Sequence, residues 1–448
     1  MEHKVDSVEE PRALRVAMLG CGVVGSQVAR LIIEQADDLA SRIGARLELV
    51  GIAVGNPTRQ RPGLDPALFF GDAEALVSRD DLDIVIEVVG GIDPVRDWVA
   101  TALEGGASVI TANKALIAAH GAELTEIARL RGVDLYYEAA VAGAIPIIRP
   151  LRESLVGDEI TRVMGIVNGT TNYILDQMTT TGAEFADALG EAQDLGYAEA
   201  DPTADVEGHD AAAKAAILAS LAFHTDITSD QVASQGISQL TSRDISSAAG
   251  LNMVIKLLAV AELTPADQVS VRVNPVMLPT AHPLASIKGA YNAVFVESRE
   301  AGRLMFMGPG AGGAPTASAV MGDLVTAARN RVRGVAGAAP TAYTRRSVAD
   351  PGGTESRYHL RFVVLDEPGV LARAADVFAR HAVSIATVHQ ATTSSENGTP
   401  YAELEVLTHL TRESTVQACV AELTAQDFIG DREDGAGKVR LLRVEASS

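Results

Sequence analysis

The sequence predicts an α/β protein in three parts: a Rossmann-type doubly wound parallel sheet over residues 1–150, a second α/β domain over 151–335, and a ferredoxin-like domain over 357–448. Three observations predict it. An apolar run, Leu14 to Leu19, leads into Gly20-Cys21-Gly22-Val23-Val24-Gly25 and then into a helix with apolar positions Val28, Leu31 and Ile32. Strand and helix patterns then alternate to about residue 150. After residue 357 the order becomes strand, helix, strand, strand, helix, strand.

In the first element the glycines follow a strand and open a helix. In that context they turn tightly, let the backbone approach a pyrophosphate and allow close packing of helix on strand. The phosphates would sit on the helix N-terminus, where free amides and the dipole favour an anion. Gly20, Gly22, Val23, Val24 and Gly25 are therefore candidate dinucleotide contacts. The strand Leu47 to Val54 ends in Gly55-Asn56-Pro57, without the carboxylate that would grip a ribose 2′-hydroxyl. That favours NADP over NAD, with Arg59 or Arg61 meeting a 2′-phosphate, although arginines in a surface loop also serve simply as solvated charges.

Further strands are expected at Asp83 to Val89, Ser108 to Leu116 and Asp134 to Val141. Ligands bind at the carboxyl ends of such strands, which directs Lys114, after Ala112-Asn113, toward the cofactor crevice. In the second domain a strand at Ile160 to Val167 leads into Asn168-Gly169-Thr170-Thr171-Asn172-Tyr173. A strand at Asn292 to Glu297, a glycine-rich loop from Gly308 to Gly313 and a helix from Thr316 to Arg331, returning to the first domain, complete it.

The stretch from Gly196 to Lys214, GYAEADPTADVEGHDAAAK, carries the densest chemistry. Pro202 and Gly208 place Glu199, Asp201 and Asp205 on a turn, and an alanine-rich helix begins at His209. Asp210 and Lys214, four apart, share one helical face, so a pocket there would hold a carboxylate beside an ammonium. Any capped helix start also favours an early Asp and a later Lys. His209 is read as structural.

Composition excludes several classes. The chain of 448 residues is 47% hydrophobic, with no apolar run long enough to span a bilayer, and its first residues are polar, so a soluble cytoplasmic protein is expected. A formal net charge of −21 disfavours nucleic acid and anionic membranes as partners. Two cysteines, Cys21 and Cys419, argue against a disulfide framework or a cysteine-ligated metal. Residues 336–356 are rich in small residues, Pro and Gly and read as a linker.

These motifs resemble one family. VVLDEPGVLARAADVFARHAVSIATVHQ is similar to the ACT domain, a module that binds small amino acids, in which the ligand lies near the turn occupied here by Asp366 and Gly369. Ala192, Gly196-Tyr197, Asp201-Pro202, Asp205, Gly208-His209-Asp210 and Lys214 resemble the signature of monofunctional homoserine dehydrogenase with a C-terminal ACT domain. GIVNGTTNYIL from Gly165, TANKAL from Thr111, YEAAVAGAIP from Tyr137 and GPGAGGAPTASAVMGD from Gly308 extend the resemblance. Nothing kinase-like precedes Leu14, so the monofunctional form is expected. Gly55-Asn56 departs from the Arg-Asp usual in the family, which bears on how the ribose is held.

The resemblance implies NAD(P)H-dependent reduction of L-aspartate 4-semialdehyde to L-homoserine, in threonine, methionine and isoleucine biosynthesis. It implies Lys214 as acid/base with Lys114 as its partner, Glu199, Asp205 and Asp210 around the substrate, and Gly196, Gly310 and Gly312 among the cofactor contacts. It also implies a sodium-type monovalent cation site at Glu138, Val141, Gly143 and Ile145, a homo-oligomer formed through the second domain, and L-threonine as effector. Two rivals share the cofactor fold: an ACT-bearing hydroxy-acid dehydrogenase, which would use a His with a carboxylate, and a catalytically silent amino-acid sensor.

Overall fold

The computed structural model describes residues 13–338, 344–394, 400–430 and 439–445. It divides into two compact units. The first takes in the described residues up to Glu159, Ser220–Thr228 and those of Gly308–Thr344. The second takes in Ile160–Ala219, Ser229–Met307 and the described residues from Arg345 onward.

The first unit opens with β1 (Leu14–Leu19), α1 (Val23–Glu34), α2 (Ala36–Ile43) and β2 (Leu47–Ala53). It continues through β3 (Phe69–Phe70), α3 (Ala73–Val77), β4 (Ile84–Glu87), α4 (Val95–Glu104), β5 (Ser108–Thr111), α5 (Lys114–Arg131) and β6 (Leu135–Tyr136). The six strands pair in the order β3-β2-β1-β4-β5-β6, and the paired registers are parallel. This is the doubly wound sheet whose chain order reverses beside β1, where the crevice for a dinucleotide opens. β6 is shorter than the sequence suggests: after Tyr136 the chain turns into a 3-10 helix at Glu138–Ala140, because the Glu138 carboxylate turns to backbone amides at Ile148 and Arg149.

The second unit contains β7 (Ile160–Ile166), α6 (Gly169–Thr181), α7 (Phe185–Asp194) and α8 (Thr203–Val206). Next come α9 (His209–Phe223), β8 (Ala233–Ser234), α10 (Ser242–Gly250), β9 (Met253–Leu263), β10 (Val269–Pro279), β11 (Tyr291–Ser298) and β12 (Gly302–Pro309). The chain then forms α11 (Gly313–Arg333), which begins three residues before the sequence suggests and belongs to the first unit. Its Ala317, Val320, Leu324 and Ala327 join the core with Val16, Met18, Val28 and Ile32.

The C-terminal elements are β13 (Glu355–Leu365), α12 (Val370–Arg380), β14 (Ile385–Ser394), β15 (Pro400–Thr408), β16 (Thr411–Arg412), α13 (Glu413–Thr424) and β17 (Val439–Val444). Their sheet order β17-β13-β15-β14 is that of a ferredoxin-like fold, with Tyr358, Leu360, Phe362 and Val364 packed on Val377, Phe378, Val416 and Cys419. Part of the stretch read as a linker is hydrogen-bonded: the Val269 amide donates to Ser347 and the Ala349 amide to Val269. Residues 339–343 of that stretch lie outside the described residues.

One feature had no local signature in the sequence. β17 pairs in parallel with β10, so the strands of the second domain and of the C-terminal domain form one eleven-stranded sheet. Arg162 of β7 reaches across the seam to Glu445 at 2.6 and 3.0 Å and to Glu262 of β9 at 2.9 Å.

Candidate functional site

The glycine loop of the first unit is built for close approach. A β-carbon on Gly20 would stand 2.8 Å from the Val88 carbonyl oxygen, and one on Gly25 only 2.5 Å from that of Gly20, so both positions require glycine. Gly22, the cap residue of α1, has open space beside it, and Val23 is exposed despite being apolar. The first turn of α11 packs here, since a β-carbon on Gly313 would meet Val23. Two helix N-termini, preceded by Gly22 and Gly312, thus lie together with Gly310 in the adjoining loop. Such amides suit a pyrophosphate.

Beside this loop, Arg61 lies folded over the Phe69 ring at 4.6 Å and donates to the carbonyls of Asn56 and Arg59. Arg59 is exposed. Burial raises the Cys21 thiol while nearby Arg61 opposes it, so Cys21 stays a thiol filling the loop.

Lys114 is the exposed first residue of α5, and the residues before it are held by a network absent from the sequence reading. Glu87, fully buried at the end of β4, accepts from the amides of Val89 (2.8 Å) and Gly90 (2.9 Å) and from the Thr111 hydroxyl. Thr111 Oγ1 accepts from the Asn113 amide, and the Asn113 side chain donates to Gly91 and caps α5. A charged residue within the apolar run DIVIEVV was the signal for it, because a buried carboxylate must be hydrogen-bonded.

In the second unit Lys214 is buried in α9. Its Nζ donates to Asp210 Oδ2 at 2.7 Å and to the Val167 carbonyl at 2.7 Å. Asp205 sits in the single helical turn α8 rather than on an open turn, and Asn168 Nδ2 donates to both Asp205 (2.6 Å) and Asp210 (2.9 Å). Asp201 instead accepts from Thr203 and initiates α8, and those hydrogen bonds lower its pKa. Gly196, at φ +76°, ends α7 in the left-handed region. Glu199 is exposed on the loop that follows, which the Thr170 hydroxyl ties to α6 through the Tyr197 carbonyl. His209 is exposed at the start of α9.

Back in the first unit, Glu138 is buried, with its two oxygens accepting from the amides of Ile148 (2.6 Å) and Arg149 (3.0 Å). Asp323 of α11 accepts from the Glu138 amide and pairs with Arg149 at 2.7 Å. Burial, reinforced by neighbouring Glu138, pushes Asp323 up to about 7. Burial likewise raises Glu138. Val141 and Ile145 are buried, and the chain between them turns through positive φ at Ala142 and Gly143. Among the described residues no group of three or more His, Cys, Asp or Glu side chains is placed to hold a metal ion. A cation here would therefore depend on one carboxylate and backbone carbonyls, a donor set that suits a hard monovalent ion.

Asp366 and Gly369 are exposed at the turn before α12. The Asp366 amide donates to Pro400, its side chain accepts from Gln390, and Gly369 caps α12 at φ +93°.

Comparison with known proteins decides what these sites belong to. Residues 146–325 match the homoserine dehydrogenase family model, 20–138 its NAD-binding domain and 358–427 the ACT domain. The homoserine dehydrogenase of Corynebacterium glutamicum is 53% identical over 421 residues, covering 93% of this chain and 94% of that one. The chain belongs to the homoserine dehydrogenase family. It is an NAD(P)-dependent oxidoreductase acting on a CH–OH group.

Other members of the family agree over nearly the whole length. Homoserine dehydrogenase of Mycobacterium tuberculosis is 52% identical over 443 residues, covering 98% of this chain and 99% of that one. The crystal structure of the enzyme from Thiobacillus denitrificans superimposes with a TM-score of 0.88 at 36% identity, covering 97% of this chain and 98% of that one. A hyperthermophilic archaeal homoserine dehydrogenase solved in complex with NADPH matches with a TM-score of 0.60 at 28% identity, over 70% of this chain and 98% of that one. Among the described residues no helix is long and apolar enough to cross a membrane.

Proposed function

We propose that the chain reduces L-aspartate 4-semialdehyde to L-homoserine with Lys214 as the proton donor, in the cytoplasm and in the route to threonine, methionine and isoleucine. The observation carrying this is the buried Lys214, whose ammonium is oriented by Asp210 and the Val167 carbonyl. An ammonium has three donors. With two so engaged, the third is available to the substrate oxygen, where it stabilises the developing alkoxide and then gives up its proton. The bound nicotinamide supplies the hydride. Lys114, preceded by the Glu87–Thr111–Asn113 network, acts as the second ammonium, and Asp205 and Glu199 receive the substrate's own ammonium.

The glycine loop and the two helix N-termini support a dinucleotide with Gly20, Gly22, Val23, Val24, Gly25, Gly310 and Gly312 along the phosphates, the exposed Arg59 supports NADP as the preferred one, and Gly196 is a further cofactor contact. Glu138 with the carbonyls of Val141, Gly143 and Ile145 would hold a sodium ion and brace the turn they form. The ACT domain takes L-threonine near Asp366 and Gly369, and the enzyme works as a homo-oligomer.

An absorbance assay at the nicotinamide band tests the reading. Homoserine-dependent reduction of NADP is expected. Reduction with simple 2-hydroxy acids but not homoserine would favour the hydroxy-acid dehydrogenase, and no turnover with either would favour the silent sensor.

A further inference from the structure

The junction between β7 and α6 touches Lys214, Asp210 and Asp205. Val167 offers its carbonyl to Lys214, and the next residue, Asn168, reaches both carboxylates with one nitrogen, Asp205 at 2.6 Å and Asp210 at 2.9 Å. Asn168 is buried. Its Oδ1 accepts from the Thr171 amide at 2.8 Å and from the Thr171 hydroxyl at 3.0 Å, which caps α6. The amide cannot be reversed without setting its oxygen against two carboxylates and its NH2 against an N–H, so the hydrogen-bond pattern itself fixes the orientation.

Asn168 therefore has a job that capping alone does not require. Ser or Asp would cap α6 equally well, but neither presents two neutral N–H donors to two anions. Carboxylates held this close raise each other's affinity for a proton unless donors stand between them. With Asn168 in place, Asp205, Asp210 and Lys214 carry one net negative charge, the complement of a substrate ammonium.

We propose that Asn168 is a positioning residue for the reaction: its side-chain amide bridges Asp205 and Asp210 and holds the two carboxylates apart, one for the substrate ammonium and one for Lys214. The proposal rests on the roles of Lys214 and Asp205 given above. The titratable groups facing Asn168 are Asp205 from α8 and Asp210 and Lys214 from α9. Farther along α6, Lys256 of β9 binds Asn172, with Asp176 and Lys288 near it, and Glu191 of α7 binds Tyr173.

Two variants of the full-length enzyme, Asn168→Ser and Asn168→Asp, test this, with kcat and KM for aspartate 4-semialdehyde followed against pH beside the melting temperature. Asn168→Ser keeps the cap and loses the bridge. Its KM should rise about tenfold with a smaller fall in kcat, and the acid limb of kcat/KM should move up by about one pH unit, as two carboxylates come to share a proton. Asn168→Asp adds a third carboxylate, and taking up one proton restores a donor. Its activity relative to wild type should therefore rise as the pH falls, opposite in slope to Asn168→Ser. PH-independent ratios for both variants would overturn the proposal and leave Asn168 a cap. Lys214→Met run alongside separates the two levels: lost turnover there with flat Asn168 ratios overturns only the positioning role, whereas retained turnover overturns the reading of the site and this proposal with it.

Discussion

Lys214 and Asp210 form an ion pair one helical turn apart, 2.7 Å from Nζ to Oδ2, with both side chains almost wholly removed from water. Burying such a pair costs desolvation that the attraction between the partners only roughly repays, so a buried pair is weak evidence for stability. Its value here is chemical: the ammonium is held in one orientation at the end of β7, where Val167 and Asn168 fix both partners.

The proposed preference for NADP turns on the loop after β2. Arg61 is committed to Phe69 and to carbonyls of its own loop, whereas Arg59 is exposed. NADPH should serve at least as well as NADH, and Arg59→Ala should lower kcat/KM for NADPH by roughly tenfold while leaving NADH little changed, as expected for a lost phosphate contact. Steady-state kinetics with both cofactors checks it. Equal losses with the two, or a strong native preference for NADH, would contradict it.

Asp323 should leave a mark on stability against pH. Its folded-state pKa, about 7, lies above the value near 3.9 expected for an unfolded Asp. The folded state therefore holds the proton more tightly. The stability this contributes is fully present below about pH 4 and is lost as the pH rises through about 7. Asn at this position stays neutral throughout, so the melting temperature of Asp323→Asn relative to wild type should be higher at pH 8 than at pH 5. An offset that does not change between those pH values would show that Asp323 does not titrate this way.

The shared sheet alters the expectation for the C-terminal domain. Truncation after Gly334 would remove β17 from beside β10 and take Glu445 from Arg162. Arg162 keeps Glu262 but loses half of its pairing, and β10 loses the strand that pairs with its edge. The truncated chain should melt well below the intact one, as calorimetry would show, and equal melting temperatures would mean the seam contributes little. L-Threonine should inhibit the intact enzyme, and Asp366→Ala should weaken that inhibition without changing basal turnover. An effector acts only by preferring one of two states, so absence of inhibition under robust activity would end the regulatory reading.

Much of this fold was legible locally. β1 and α12 begin and end where the patterns of apolar residues place them, and α9 starts at His209 as its glycine and Asp predict. β9, MVIKLLAVAEL, is buried along most of its length and lacks the alternation that marks a half-exposed strand, whereas β10 opens with the alternating run VSVRVN, a legible strand signal whose polar members are nevertheless buried. The pairing of β10 with β17 joins residues far apart in the chain, which no local pattern encodes. Within the site, the charged residues stood out by composition. Asn168 did not: it reads as an ordinary helix cap, and its second set of hydrogen bonds exists only once α8 and α9 are folded against it.

Single-turnover oxidation of NADPH by Lys214→Met, with aspartate 4-semialdehyde in excess and cofactor binding followed by fluorescence, tests the central claim most directly. Cofactor binding should persist while the rate falls by roughly two to four orders of magnitude, the range for loss of a positioned acid. A near-native rate with an unchanged pH profile would contradict the account.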